Sequence, residues 1–289
     1  MKQKGMEASY KKSIVKYYDD TRIDYRWLWL NKKNRSVHFG FYEDGISEHS
    51  DALENLNKVL AERVGIKDGD RILDAGCGQG GSALWLAEKY QVQVEGITLV
   101  PHQVRMAKEE TTKRKLEAQL NFSEQDYTST NFADESFDVV WACESMCHAE
   151  RKEDFYKEMF RVLKPGGRMI CADYIRADRP LTADGELVIH QWLDGWSIKD
   201  IDTYEEHLAS MRNCGLVNAE IHDVTQNTRP SLKHLYSMSS KLWGLGKLLN
   251  NIGLRNNVMH GNQFGSIKQY EALEKGYWYY GIIKAEKPA

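Results

Sequence analysis

A glycine-rich turn between a strand pattern and a helix pattern constrains this chain more than any other feature. Residues 73–81 read LDAGCGQGG, and a helical pattern follows at residues 82–87. Glycine is needed where the backbone adopts a positive φ and where a ligand must approach main-chain atoms closely. A strand, a Gly-x-Gly-x-Gly turn and a helix in succession therefore indicate a nucleotide-binding turn. Such turns also serve nicotinamide, flavin and purely structural roles, so the rest of the chain must decide.

Size and composition narrow the classes of partner. The chain has 289 residues, 42% of them hydrophobic and 28% charged, which suits one large α/β domain with insertions or two small domains. A net charge of -3 gives no electrostatic reason to expect nucleic acid and favours small-molecule partners. Residues 1–7 lack the apolar core of a signal peptide, and no run of about 18 apolar residues could span a membrane. We therefore expect a cytoplasmic protein.

The cysteines favour free thiols over disulfides or metal. Their number, five, is odd, and most of them lie in apolar, strand-like surroundings, which is typical of reduced buried thiols. Cys143 and Cys147 have only His148 as a nearby imidazole, so a zinc site is disfavoured and no metal is expected.

Strand and helix patterns alternate from residue 58 to residue 175, which indicates a parallel, doubly wound sheet. The predicted strands are residues 71–74, 92–97, 120–124, 137–142 and 168–174, and the predicted helices are residues 82–90, 101–117 and 153–163. A turn is predicted at residues 164–167, KPGG.

Beyond residue 175 the pattern loosens. A helix at 204–214 and strands at 217–224 and 277–284 are predicted. The roughly fifty residues between those strands are too many for a structureless loop, so they should form a helical insertion. Three regions follow: a helical lid at 1–57, a cofactor-binding core at 58–175, and the rest of the sheet with substrate-binding insertions at 176–289.

The lid region is crowded with aromatic residues, which suggests that it packs over something. They are Tyr17, Tyr18, Tyr25, Trp27, Trp29, Phe39 and Tyr42. A helix docked on the core explains most of them equally well.

Several motifs together carry a resemblance to a known family. They are residues 73–81, 96–99 (GITL), 125–127 (QDY), 137–140 (FDVV), 144–148 (ESMCH) and 163–168 (LKPGGR). Their order and spacing resemble the class I S-adenosylmethionine-dependent methyltransferases, and the finer likeness is to tocopherol, phosphoethanolamine and sarcosine methyltransferases, cyclopropane synthases and natural-product tailoring enzymes. The resemblance implies a Rossmann-like seven-stranded doubly wound sheet with an N-terminal helical lid and helical insertions after strands five and six.

The resemblance also implies a site for S-adenosyl-L-methionine. Backbone N–H groups after Gly76 and Gly78 would approach its methionine moiety, Gly80 belongs to the same turn, and Asp74 would anchor that turn. The remaining implied cofactor contacts are Tyr18, Thr98, Leu99, Gln103, Asp126, Tyr127 and Glu144.

Two groups of these contacts bear on alternative interpretations, a dehydrogenase in one case and a purely structural aspartate in the other. Where many relatives hold the ribose with an acidic residue, this chain has Thr98 and Leu99, which weakens a dehydrogenase interpretation and resembles relatives that use threonine and a glutamine like Gln103. Asp126 would accept a hydrogen bond from the adenine amino group with Tyr127 beside it, although a structural turn aspartate is the alternative.

The catalytic candidates are His148, Tyr18 and Glu144. Glu144 lies at the carboxyl end of the fourth predicted strand, the edge where open α/β sheets bind ligands. His148 lies four residues beyond it. Related enzymes have a histidine here, and in the phosphoethanolamine branch it pairs with an N-terminal tyrosine that resembles Tyr18. We therefore expect Tyr18 and His148 to meet across the bound cofactor and close the lid. His148 would be the base for a hydroxyl acceptor or would only orient an amine, and Glu144 could steady a developing positive charge.

Substrate-binding residues are expected in the insertions. Trp192, Trp196, Tyr236, Trp243 and Phe264 predict a large apolar pocket, although helix packing explains many of them equally well.

We therefore expect methyl transfer to a bulky, largely apolar metabolite, at oxygen before nitrogen or carbon. A nicotinamide oxidoreductase is disfavoured by Thr98 and by the absence of a Tyr-x-x-x-Lys pair near a nucleotide pocket. A non-catalytic cofactor-binding module is disfavoured by intact Gly76, Gly78, Asp126 and His148. The acceptor's identity and the oligomeric state stay open.

Overall fold

A seven-stranded sheet organises residues 7–24 and 35–289, which are the residues described by this computed structural model. Its strands are β1 (Arg71–Ala75), β2 (Gln93–Thr98), β3 (Leu120–Glu124), β4 (Phe137–Cys143), β5 (Leu163–Arg176), β6 (Val217–Asp223) and β7 (Trp278–Glu286). The order across the sheet is β3-β2-β1-β4-β5-β7-β6, and β7 runs antiparallel to both of its neighbours. The predicted seven-stranded doubly wound fold is confirmed.

Helices cover both faces of the sheet. They are α1 (Ala8–Asp20), α2 (Arg22–Asp24), α3 (His49–Val64), α4 (Gly81–Lys89), α5 (Pro101–Arg114), α6 (Lys152–Val162), α7 (Ala183–Gly195), α8 (Tyr204–Asn213), α9 (Thr225–Asn251) and α10 (Asn257–Glu274). Successive residues of a strand point to opposite faces, so Val140 belongs to one buried apolar cluster and Trp141 to the other. Burial on both faces explains why the central strands are almost continuously apolar.

Local differences from the expected elements have physical reasons. The insertion expected between β6 and β7 is the α9–α10 pair, and the one expected after the fifth strand includes α7, whose bounds the loosened pattern did not give. α7 begins where the Thr182 hydroxyl accepts a hydrogen bond from Gly185 N at 3.2 Å. The predicted turn at residues 164–167 lies inside β5, because Leu163 already pairs with Phe137 before the pairing shifts register. Gly166, at φ +73°, lies within that irregularity.

The predicted region boundaries do not coincide with element ends. Residues 57 and 58 both lie within α3, and residues 175 and 176 both lie within β5. Tyr25, Trp27 and Trp29 fall outside the described residues. All five cysteines are free thiols, and among residues 7–24 and 35–289 no helix has the length and apolarity of a membrane span.

A short extended segment, residues 36–42, crosses the carboxyl edge of the sheet. Phe41 N donates to Ala52 O at 2.8 Å, which ties the segment to α3. Gly40 N donates to Ser231 Oγ at 3.0 Å, which ties it to α9. This segment is therefore fixed in place over the end of β4, where the candidate site lies.

Packing behind the glycine-rich turn predicts a matched pair of glycine substitutions. A Cβ at Gly96 in β2 would lie 2.5 Å from two ring atoms of Phe122, so Gly96→Ala should lower the free energy of unfolding by about 1–3 kcal/mol. A Cβ at Gly244, inside α9, would meet no atom of the described residues within 4 Å, so Gly244→Ala should raise it by about 0.5–1 kcal/mol. Urea unfolding of both variants measures the two effects, and wild-type stability of Gly96→Ala would contradict the packing described here.

Candidate active site

A cavity of about 1070 Å³, counted to its open mouth, lies at the carboxyl ends of β1 and β4 and beside α1. This is the edge where open α/β sheets hold their ligands. It is lined by many of the predicted site residues: Tyr18, Asp74, Gly76, Gly78, Thr98, Leu99, Gln103, Tyr127, Glu144, His148 and Trp196. One continuous cavity thus joins the glycine-rich turn to the candidate catalytic residues.

The glycine-rich turn leaves no room for a side chain at its first position. Gly76 has φ +94°, and a Cβ there would overlap Ser145. Ser145 is itself held by its hydroxyl donating to Ala75 O at 2.6 Å and by Tyr127 OH donating to its carbonyl at 2.7 Å. The Ser145 side chain of the loop after β4 therefore packs directly against the backbone of the turn.

Gly78 and Gly80 also have positive φ angles, but they face different surroundings. Gly78, at φ +52°, lines the cavity, and a Cβ there would meet only Val37 Cγ2 at 3.9 Å. Gly80, at φ +83°, faces Phe122 and Ala107 and does not line the cavity. Gly78 is thus the position where a side chain would intrude on a ligand, and Gly80 shapes the turn from behind.

Asp74 presents an unpartnered carboxylate oxygen beside this turn. The residue is 2% exposed and accepts a hydrogen bond from the Ala83 backbone, but its Oδ2 has no partner among the described residues. Burial raises the pKa of Asp74 to about 7. A buried carboxyl oxygen without a partner is costly, so this position suits a ligand that brings a donor or a positive charge.

The end of β2 is locked by side-chain hydrogen bonds. Thr98 Oγ1 donates to Gln103 Oε1 at 2.8 Å and accepts from Val100 N at 3.2 Å. Because Oε1 is engaged, the amide group left to donate to a ligand is Gln103 Nε2. Leu99 lies beside them on the cavity wall.

Asp126 lies outside the lining of the cavity. Its Oδ2 pairs with Lys11 Nζ of α1 at 2.7 Å, while its Oδ1 accepts from Thr128 N at 2.8 Å. The second bond is that of a turn aspartate, the alternative kept open by the sequence. An adenine amino group could reach this carboxylate only by sharing it with Lys11.

Tyr18 and His148 meet, as expected. Tyr18 OH lies 3.0 Å from His148 Nε2, and the rings pack edge to face. The turn that carries His148 is held by Cys147 N, which donates to Asp173 Oδ2 at 2.9 Å. Burial lowers the pKa of His148 to about 4, so its imidazole is neutral at pH 7.

Glu144 is the first residue after β4 and has φ +50°, an uncommon conformation for a residue with a Cβ. Its Oε1 accepts from Phe39 N at 2.7 Å and from Tyr280 OH at 2.8 Å, and its Oε2 accepts from Tyr174 OH at 2.9 Å. Burial raises the pKa of Glu144 to about 8 despite these donors. Both oxygens are therefore engaged in holding the cavity wall together.

His38 is a cavity-lining histidine that the sequence reasoning missed. Its Nδ1 lies 2.9 Å from Phe39 O; because a carbonyl only accepts, Nδ1 carries the hydrogen and Nε2 keeps its lone pair. Nε2 is buried without a partner among the described residues, and burial lowers the pKa of His38 to about 4. The only signal in the sequence was a polar residue within the aromatic run at residues 37–42.

Of the predicted substrate-binding residues, only Trp196 lines the cavity. Trp192 is fully buried behind Tyr174, at 5.2 Å between ring centroids. The other three lie within the α9–α10 pair, where Tyr236 stacks on Tyr270 and Trp243 packs against both His260 and Phe264. Trp192 thus packs α7 on the sheet, and the other three pack α9 and α10 together. The apolar lining that sequence reasoning missed includes Ile14, Tyr17, Val37, Tyr174 and Ile198.

Comparison with known proteins identifies the family. The model of the methyltransferase domain matches residues 73–171. The chain is 30% identical over 231 residues to methyltransferase GfsG of Streptomyces halstedii, covering 78% of this chain and 80% of the relative. It is 34% identical over 206 residues to the 27-O-demethylrifamycin SV methyltransferase of Amycolatopsis mediterranei, covering 71% of this chain and 73% of the relative.

The fold is shared with solved structures. A putative sarcosine dimethylglycine methyltransferase from Galdieria sulphuraria superposes with a TM-score of 0.78 at 22% identity, covering 94% of this chain and 98% of that one. The chain belongs to the S-adenosylmethionine-dependent methyltransferases that act on small molecules. Its cofactor is S-adenosyl-L-methionine, and other matching structures hold that molecule or S-adenosylhomocysteine.

The site's own residues fit this cofactor. Asp74 Oδ2 lacks a partner and suits the amino group of the methionine moiety, while Gly76 and Gly78 leave the backbone accessible beside it. Thr98 and Gln103 supply neutral polar groups at the end of the neighbouring strand, as a ribose would require.

Blocking the glycine-rich turn should abolish cofactor binding. Gly78→Arg places a long side chain in the cavity at a position with φ +52°, so calorimetric titration with S-adenosylhomocysteine should show no binding. Gly253→Arg is the matched control, because that glycine also has a positive φ but, in the part of the chain that the structure describes, nothing lies within 4 Å of its Cβ position. Retained micromolar binding by Gly78→Arg would place the ligand elsewhere.

The raised pKa of Asp74 predicts a pH dependence of cofactor affinity. Below about pH 7 the free protein holds this carboxyl protonated and cannot attract an ammonium group. S-adenosylhomocysteine should therefore bind more tightly as the pH rises from about 5.5 to 7, approaching tenfold per pH unit at the acidic end. Asp74→Asn should bind weakly and lose this slope, and an unchanged slope in that variant would assign the titration to another group.

Proposed function

We propose that this enzyme transfers the methyl group of S-adenosylmethionine to an oxygen atom of a bulky, largely apolar small molecule. The observation that carries the proposal is the pairing of a neutral imidazole, His148, with Tyr18 on a wall of the cofactor cavity. The name of the rifamycin relative, which specifies a 27-O-demethyl substrate, supports transfer to oxygen.

We propose three sets of cofactor contacts. Asp74, Gly76 and Gly78 hold the methionine moiety, with Gly80 shaping the turn. Thr98, Leu99 and Gln103 hold the ribose, and Tyr127 and Asp126 border the adenine. Tyr18 and Glu144 close the site from the sides of α1 and β4.

The protein's task is placement and proton removal. The cofactor, when bound, supplies an electrophilic methyl group on a sulfonium. Apolar side chains such as Ile14, Val37 and Ile198 exclude water, and Trp196 gives the acceptor a flat apolar wall. Burial and orientation of a hydroxyl near the Tyr18–His148 pair would then favour reaction over exchange with solvent.

The acceptor's proton passes to Nε2 of His148. It moves either directly or through the Tyr18 oxygen, with Tyr18 giving its own proton to Nε2 in the same step. The imidazole is neutral at pH 7 and therefore able to accept, but its low pKa makes it a weak base. Proton transfer is then most effective as the new carbon–oxygen bond forms, when the acceptor oxygen becomes acidic.

N- or C-methylation is the alternative. A neutral amine needs no base, and His148 would then only orient it. In carbon methylation Glu144 would face a developing positive charge, but both of its oxygens are already engaged by three donors. Oxygen therefore ranks first, and a cytoplasmic location stays a prediction from the sequence.

Removing the imidazole should separate turnover from cofactor binding. We expect His148→Ala to lower turnover of hydroxylated apolar acceptors by about 10²–10⁴-fold, the usual contribution of general-base catalysis. Its affinity for S-adenosylhomocysteine should stay within a few-fold of wild type, because the methionine and ribose contacts are intact. Tyr18→Phe should lower turnover less, since Nε2 can still accept directly.

The matched control is His222→Ala, which removes an exposed histidine of β6. A panel of apolar acceptors bearing hydroxyl or amine groups, assayed for S-adenosylhomocysteine release, measures the outcome. Full turnover of hydroxyl acceptors by His148→Ala would overturn the base assignment, and turnover of amine acceptors alone would favour nitrogen.

A further inference from the structure

The α9–α10 pair is electrostatically unlike the rest of the chain. From residue 224 to residue 270 there is no Asp or Glu, although the whole protein has a net charge of -3. The same stretch carries six basic residues: Arg229, Lys233, Lys241, Lys247, Arg255 and Lys268. This hairpin is therefore a positive region on an acidic protein.

Ion pairs neutralise only half of these charges. Arg229 pairs with Glu274, Arg255 with Asp24, and Lys268 with Glu271. The other three, Lys233, Lys241 and Lys247, are exposed, and the described residues give them no ion pair. Lys241 and Lys247 stand on the half of α9 that also carries exposed leucines.

An apolar stripe runs along that half of α9. Its members are Leu242, Leu245, Leu248 and Ile252, which are 40%, 55%, 56% and 58% exposed, followed by Leu254 at 75%. Spacings of three and four residues place the helical members on one face. The other side of the helix packs on α10, where Gly246 abuts Gln263. The stripe is thus the unpacked face of an otherwise packed helix.

The stripe continues onto α2. Leu254 and Ile23 are the chain neighbours of Arg255 and Asp24, whose side chains pair at 2.9 Å. Ile23 is 59% exposed, and Arg22 beside it is exposed too. We call the set of Arg22, Ile23, Lys241, Leu242, Leu245, Leu248, Ile252 and Leu254 the basic-apolar face. Lys247 does not belong to it, because 3.6 residues per turn place Lys247 about 150° around the helix axis from the centre of the stripe.

This face is attached to a wall of the active-site cavity. Tyr17 OH of α1 donates to Asn262 Oδ1 of α10 at 2.7 Å, and Tyr17 lines the cavity. Arg22 and Ile23 of the basic-apolar face follow α1 almost directly along the chain, so a partner docked there lies close to the end of the helix beside the cavity. If the docking partner is a lipid layer, a bulky apolar acceptor would concentrate in that same layer, next to the enzyme.

We propose that the basic-apolar face docks on an anionic lipid surface. A helix face that carries exposed leucines and has cations on the same surface, here Lys241 and Arg22, suits a membrane interface, with the apolar side chains inserted and the cations at the head groups. A two-fold contact with a second copy would bring the same cations of both copies together, which disfavours that occupant. The proposal does not depend on which atom the enzyme methylates.

Vesicle sedimentation of the full-length protein tests this assignment. The protein should sediment with vesicles of phosphatidylcholine mixed with phosphatidylserine and much less with phosphatidylcholine alone. Binding should weaken as salt is raised, because the attraction is partly electrostatic. Failure of the wild type to sediment with the anionic vesicles at low salt overturns the proposal.

Two variants locate the surface. Arg22→Glu combined with Lys241→Glu, and separately Leu245→Ser combined with Leu248→Ser, should each lower partitioning at least tenfold. Lys58→Glu on α3 and Leu187→Ser on α7 are matched controls, since both residues are exposed and lie elsewhere. Unchanged affinity for S-adenosylhomocysteine in every variant shows that the fold and the cofactor site persist.

Two results would reject the assignment while leaving the methyltransferase site untouched. Wild-type partitioning by both double variants means that another surface binds lipid. The second result is a protein that does not bind anionic vesicles but forms a concentration-dependent dimer in analytical ultracentrifugation. If Leu245→Ser with Leu248→Ser abolishes that dimer, the face joins two copies.

Discussion

The carboxyl group of Glu144 joins the parts of the molecule that surround the cavity. Its three donors come from the segment 36–42, from β5 and from β7, while Glu144 itself directly follows β4. Hydrogen bonds to a buried carboxyl are strong because water does not compete, and the residue's positive φ is tolerated only because these contacts over-determine it. Loss of this group would leave two tyrosine hydroxyls and one backbone N–H unsatisfied in the core.

The buried polar groups of the site fall into two sets: those with hydrogen-bond partners inside the protein, and those without, which are available to a ligand. Glu144, Thr98 and Ser145 have partners within the protein, and they fix the positions of the loops around the cavity. Asp74 Oδ2 and His38 Nε2 have no partner among the described residues. Because an unsatisfied buried polar atom destabilises the folded state, ligand binding at these two atoms recovers free energy that folding alone does not.

The features that could be predicted from the sequence are those that short local patterns of residues determine. The glycine-rich turn, the alternating strands and helices and the position of His148 after β4 depend on short-range backbone rules, and the structure agrees with them. The pairing of Tyr18 with His148 came from family likeness, because no local rule joins residues so far apart. Four of the five aromatic residues assigned to the substrate pocket instead pack helices, since aromatic side chains suit both environments equally. His38 was missed because its significance lies in a tautomer fixed by a neighbouring carbonyl.

Asp126 links α1 to the proposed adenine contact, so cofactor binding there would affect how α1 is held. Lys11 of α1 occupies Oδ2 of this carboxylate, and Tyr18 of the same helix contacts His148 across the cavity. Further polar contacts hold α1, among them Tyr17 with Asn262 and Asp19 with His102. Apolar burial holds α1 as well, since Ile14 and Tyr17 belong to the two buried clusters. If adenine competes with Lys11 for Asp126, cofactor binding would weaken one polar contact of α1 while filling the cavity beside this helix, so the ligand would replace a protein contact with its own.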